Sequence, residues 1–175
     1  MKLKNIFMLL ALTLGAFTFV ACGDDDPDPD PDPQDQGTIS EANKAVVGVY
    51  EGWTNLTTTY LNRNYANDTF TLALSDGGSL VATFTDAIWG TATITGIQAS
   101  KTDTGYKLEH GEGSFVMNNP RDPENPTQTF ACKLESATIS ADKTQLTAVI
   151  SAYMEVGHGN MTFTFQTGEM PADEK

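Results

Sequence analysis

Phe70-Thr71-Leu72-Ala73-Leu74-Ser75-Asp76-Gly77-Gly78-Ser79-Leu80-Val81-Ala82-Thr83-Phe84 is the stretch that decides how this chain folds. Phe70, Leu72 and Leu74 alternate with smaller or polar residues, and so do Leu80, Ala82 and Phe84. A period of two belongs to a strand with one buried face. Pairing residue 74 with 80, 72 with 82 and 70 with 84 puts all six on one face. A slip of one residue would send all six to the other face, so the register is strongly specified. That register leaves Asp76-Gly77-Gly78 as a three-residue loop, with glycine available where the backbone must turn left-handed.

The C-terminal stretch follows the same logic. Pairing Met154 with Met161, Ala152 with Phe163 and Ile150 with Phe165 again gathers six apolar residues. It leaves Gly157-His158 as a two-residue turn with glycine first, which makes His158 a turn residue and not a ligand. Between these hairpins the period of two persists. Strands are predicted over 46–56, 67–75, 79–86, 90–100, 105–112, 128–139, 145–156 and 160–167, with no helical period between them. The expected architecture is all-β: a single eight-stranded antiparallel up-and-down barrel. Phe70, Leu72, Phe84, Ile150, Phe163 and Phe165 are expected inside it. The opposite face carries Thr69, Thr71, Thr83, Thr85, Thr162 and Thr164, so the polarity is the reverse of a membrane-spanning barrel. Thr38 and Glu41 have the spacing of a capping box and predict a short helical turn over 39–45.

The alternation slips between Ile94 and Ile97 across Gly96, and between Leu134 and Ala137 across Ser136. Each slip predicts a β-bulge, which bends a strand and helps a sheet close. With a bulge at Gly96, Ile97 would pair with Leu108 and Ile94 with His110, turning His110 and Glu112 inward. Three connections carry candidate contact residues. The segment 118–126, entered through Phe115-Val116-Met117, holds three prolines and is long enough to flank the barrel mouth. The connection 57–65 carries Tyr60, Arg63 and Tyr65, and Trp89 stands in another. Tyr60, Tyr65, Trp89, His110, Glu112 and Phe115 are therefore the candidate ligand contacts.

Chemistry-bearing patterns are few. There is no HExxH, no cysteine pair, no GxSxG and no phosphate-cradling glycine loop. His110 with Glu112 is the best acid–base or metal pair available, and it has no identifiable third member. Neither an enzyme nor a bound metal or cofactor is expected. Cys132 reads as a small buried hydrophobe.

The N-terminus has its own grammar. Lys2 and Lys4 precede an uncharged apolar run from Ile6 to Val20, the length of a cleaved export signal and short for a membrane span. From Asp24 the chain alternates Asp and Pro, which predicts an extended spacer. At about 3.1 Å per residue, its thirteen residues reach roughly 40 Å. Stiff alternation splays the carboxylates, which disfavours a calcium site there. The chain has 175 residues and a net charge of −13, about −15 once Lys2 and Lys4 leave with the signal. Such acidity argues against nucleic acid as a partner and against attraction to anionic lipid headgroups.

Phe19-Val20-Ala21-Cys22 resembles the lipobox of bacterial lipoproteins, with Phe19 where leucine is usual. Gly23-Asp24-Asp25-Asp26 resembles the acidic export signal behind the lipidated cysteine of surface lipoproteins of the Bacteroidota. Gly48-Val49-Tyr50-Glu51-Gly52, Trp89-Gly90, Ile94-Thr95-Gly96-Ile97 and Gly105-Tyr106-Lys107-Leu108 are similar to the calycin-like β-barrel domain of such lipoproteins. True lipocalins are more distant, with Gly48-x-Tyr50 standing where they carry Gly-x-Trp.

The resemblances imply a signal peptide over 1–21, a lipidated Cys22 and linker over 22–37, a barrel domain over 38–169 and a tail over 170–175. They imply attachment to the outer membrane through the lipid, facing the cell surface, with the periplasmic leaflet as the alternative. Two readings of function stay open: a small apolar ligand held at the barrel mouth, or a filled barrel whose loops touch a protein or glycan partner.

Overall fold

A computed structural model describes residues 39–154 and 159–172. The lipobox-like segment, Cys22, Gly23, Asp24, Asp25, Asp26 and the Asp-Pro linker lie outside the described residues. A short helix, α1 (Glu41–Val46), is followed by strands β1 (Gly48–Thr57), β2 (Asn62–Leu74), β3 (Leu80–Asp86), β4 (Gly90–Thr102) and β5 (Gly105–Glu109). Then come β6 (Gly111–Asn118), β7 (Thr127–Ser140), β8 (Leu146–Met154) and β9 (Gly159–Thr167). β5 and β6 are one bent strand, broken only at His110, because both pair with β4 on one side and β7 on the other. Counted so, eight antiparallel strands follow one another in chain order. β9 pairs with β1 from Gly52↔Thr167 to Thr57↔Thr162 and closes the barrel.

The deciding hairpin forms in the expected register: Leu74↔Leu80, Leu72↔Ala82 and Phe70↔Phe84. Its loop closes through Ser75 and Ser79, with Gly78 at φ +79°. Phe70, Leu72, Leu80, Ala82 and Phe84 are buried, while Leu74 at the rim is 37% exposed. The C-terminal hairpin differs. Ala152 pairs with Met161, Ile150 with Phe163 and Met154 with Gly159, a two-residue shift from the predicted register. A two-residue slip leaves every side chain on its own face, so alternation alone cannot distinguish the two registers. On its other edge β9 pairs with β1, Leu56 meeting Phe163 and Thr54 meeting Phe165. The turn expected at Gly157-His158 lies outside the described residues.

Both bulges are present. β4 gains a residue between Ile94 and Ile97, with Gly96 at φ +73°, and β7 gains one between Leu134 and Ser136. A third irregularity aligns with them at His110, φ +59°. Together they form a crease across three neighbouring strands, where a flat sheet must bend to close. Here the predicted inward turn of His110 and Glu112 is corrected: both are exposed. Leu108 pairs with Ala99 and Ile94 with Gly113, not as expected. The extra residue at His110 gives the inward position to Gly111. A β-carbon on Gly111 would lie 2.7 Å from Ile94 Cγ2 and 2.7 Å from Ile97 Cγ1, so only glycine fits there.

Five phenylalanines fill the middle of the barrel. Phe115 and Phe163 stack with centroids 5.0 Å apart, Phe84 and Phe163 at 5.4 Å, and Phe70 and Phe165 at 5.7 Å. Helix α1 packs at the barrel end carrying the β2–β3 turn. Buried Asn43 donates through Nδ2 to Gly78 O (2.8 Å) and accepts through Oδ1 from Ala99 N (2.8 Å). The expected capping box does not form. Ser40 is the N-cap, so Glu41 begins the helix and pairs with Lys44 at 2.7 Å, and Thr38 lies outside the described residues. No helix among the described residues is long and apolar enough to cross a membrane.

Candidate functional site

The end of the barrel opposite α1 is its mouth, where the β1–β2, β3–β4 and β6–β7 connections meet the ends of β8 and β9. An open pocket of about 1330 Å³ occupies it. Met117, Phe130, Met154 and Met161 project inward from β6, β7, β8 and β9 and line the pocket. Met154 and Met161 are themselves buried, so the apolar floor joins the core directly. The rim carries Tyr60, Leu61, Ile88 and Trp89 on one side and Asn118, Asn119, Pro120 and Arg121 on the other.

The rim is tied together by hydrogen bonds. Asp86 Oδ1 accepts from the backbone N of Ile88 (2.7 Å) and Trp89 (2.9 Å), which shapes the β3–β4 turn. Asn118 Nδ2 donates to Ile88 O at 3.1 Å, and Asn118 N to Trp89 O at 2.8 Å. These bonds bind the β6–β7 loop to that turn. Within the loop, Asp122 accepts from Asn125 and Glu124, which holds its carboxyl below its ordinary value. A pocket whose rim is already hydrogen-bonded needs little ordering to accept a ligand.

Of the predicted contacts, Tyr60 and Trp89 are brought to this rim. The connection expected over 57–65 shrinks to residues 58–61, closed by Thr58 N to Leu61 O at 2.7 Å. Tyr65 and Arg63 therefore sit on β2, not in a loop. Tyr65 meets Trp89 edge to face, centroids 6.1 Å apart at 82°, and the Arg63 guanidinium lies 5.8 Å from the Tyr65 ring centre. Phe115 is fully buried in the core stack and does not line the pocket. His110 and Glu112 stand on the outer surface at the crease, so the structure does not bring them to the mouth. No group of three or more His, Cys, Asp or Glu that could hold a metal occurs among the described residues.

Beneath Tyr65 and Trp89 lies a feature the sequence reading missed. Asp68 and Asp86 are 1% and 2% exposed, the next inward-facing positions toward the mouth along β2 and β3 from the Phe70–Phe84 pair. Burial pushes the Asp68 carboxyl up to about 7, the Thr54 hydroxyl opposes that rise, and the charge of Asp86 adds to it. The signal was present: extending the deciding hairpin by one more alternating pair places Asp68 opposite Asp86 on the apolar face.

A family model of the calycin-like beta-barrel domain matches residues 37–168. The chain belongs to that family. Neither a curated protein nor a solved structure matches it. The calycin-like domain therefore spans nearly all the described residues, from α1 through β9.

Proposed function

We propose that this calycin-like domain binds one small, largely apolar ligand at its mouth. The observation that carries the reading is the open pocket floored by Met117, Phe130, Met154 and Met161. Unbranched thioether side chains adapt to irregular apolar shapes, and an eight-stranded barrel has room for packed side chains or one small ligand. Here the phenylalanine stack occupies the middle, so the ligand sits above it and not deep in the barrel. We further propose that the domain is carried on the outer membrane by lipid on Cys22, with Asp24, Asp25 and Asp26 directing it to the cell surface. No catalytic role is proposed.

Native mass spectrometry of the domain purified without its lipid tests the binding reading. A co-purified small molecule, or a raised melting temperature with a lipid or hydrophobic metabolite from a panel, supports it. If neither is seen, the filled core and the exposed Tyr60, Ile88, Val116 and Tyr153 favour the second reading, a surface that contacts a protein or glycan partner. For the anchor, fractionation of cells expressing Cys22→Ala is decisive, because membrane association surviving the substitution would refute it.

A further inference from the structure

Four buried side-chain polar atoms among the described residues lack a well-aligned hydrogen-bond partner: Thr54 Oγ1, Asp68 Oδ2, Asp86 Oδ2 and Trp89 Nε1. They are not scattered. Thr54 acts on the Asp68 carboxyl, Asp86 acts on it through charge, and Asp86 also accepts from the Trp89 backbone. Trp89 in turn packs on Tyr65, the β2 partner of Thr54. Among the described residues these are the buried side-chain polar atoms left without a partner, and three of them belong to groups gathered around the Asp68 carboxyl, where an unmet hydrogen bond is costly. The ion pairs of the described residues are Lys44–Glu41, Lys107–Glu109 and Lys133–Glu135, so neither socket acid has a cation of its own.

We propose that the socket of Thr54, Asp68 and Asp86, walled by the Trp89 ring, receives the ammonium head of an amphiphilic amine whose apolar part fills the mouth pocket. The inference rests on the mouth-pocket reading above and adds the head-group chemistry. An ammonium offers several donors to the two free carboxylate oxygens, and its charge offsets the repulsion between two buried acids. A neutral alcohol or a water offers hydrogen bonds without that charge. Tyr65 and Trp89 add aromatic rings, which attract a cation further. Trp89 lines the mouth pocket while its indole nitrogen is buried, so it forms the wall between pocket and socket. Admission of the head parts the Tyr65–Trp89 pair.

The test titrates the domain with octylammonium, octanol and octanoate, read by calorimetry and by tryptophan fluorescence in a Trp53→Phe background. Octylammonium is expected to bind about tenfold or more tighter than octanol, as a charge-assisted bond implies. It is also expected to shift Trp89 emission. Asp68→Asn and Asp86→Asn, checked for folding by circular dichroism, should abolish that preference, so that each variant binds octylammonium no tighter than it binds octanol. Equal affinity for octanol and octylammonium, or a preference that survives both substitutions, overturns the socket while the pocket reading stands. Failure of all three octyl probes overturns both.

Discussion

Asp68→Asn should stabilise the protein above neutral pH and do little below pH 4. In the fold the Asp68 carboxyl is raised to about 7 from an ordinary value of 3.8, chiefly by burial and then by Asp86, against the pull of Thr54. Below about pH 4 the group is protonated in both folded and unfolded chains and contributes no pH dependence. Between about pH 4 and 7 the unfolded chain releases the proton and the folded chain keeps it. Stability then falls by roughly 1.4 kcal/mol per pH unit. Above about 7 both states are ionised and the fall stops. The whole loss is of order 4 kcal/mol, a large part of the stability of a domain this size. Asparagine keeps the shape and cannot ionise, so the variant lacks this fall. Urea unfolding of both proteins at pH 4, 5.5, 7 and 8.5 gives the difference curve, in which the exposed carboxylates cancel. A difference that does not grow with pH would refute the burial of Asp68 beside Asp86.

Further expectations follow from the packing. Phe163→Ala should cost about 3–5 kcal/mol, because it empties the centre of the phenylalanine stack, whereas Thr162→Lys on the outer face should be nearly neutral by the same urea assay. Gly113→Ala should abolish soluble folded protein. Its β-carbon would lie 1.8 Å from Thr93 O, and a backbone atom in a strand ladder cannot step aside. Cys132 is buried and its thiol is pushed up to about 11, so a thiol reagent at pH 8 should label it only as fast as the barrel opens. Rapid labelling of native protein would place it elsewhere.

The alternation from Phe70 to Phe84, with a glycine loop of the right length, was enough by itself to set a hairpin, its register and its buried face. Spread along the chain, the same period determined an all-β meander, and the two breaks in parity located the bulges in β4 and β7. Those are local facts: a period of two allows one face to be buried, and one extra residue must change the face. What alternation cannot settle is any choice that keeps each side chain on its face or depends on a distant strand. The two-residue shift of β8 against β9 is such a choice, and so is the closure of β9 onto β1, a contact more than a hundred residues away in sequence. The outward turn of His110 was decided by Ile94, Ile97 and Leu134, which leave room only for Gly111. The bend that joins β5 and β6 hid a strand inside what read as a loop approach. The mouth pocket and the acid socket also needed tertiary structure. Their walls come from connections and strand ends that only barrel closure brings together, and burial of Asp68, not its presence, changes its chemistry.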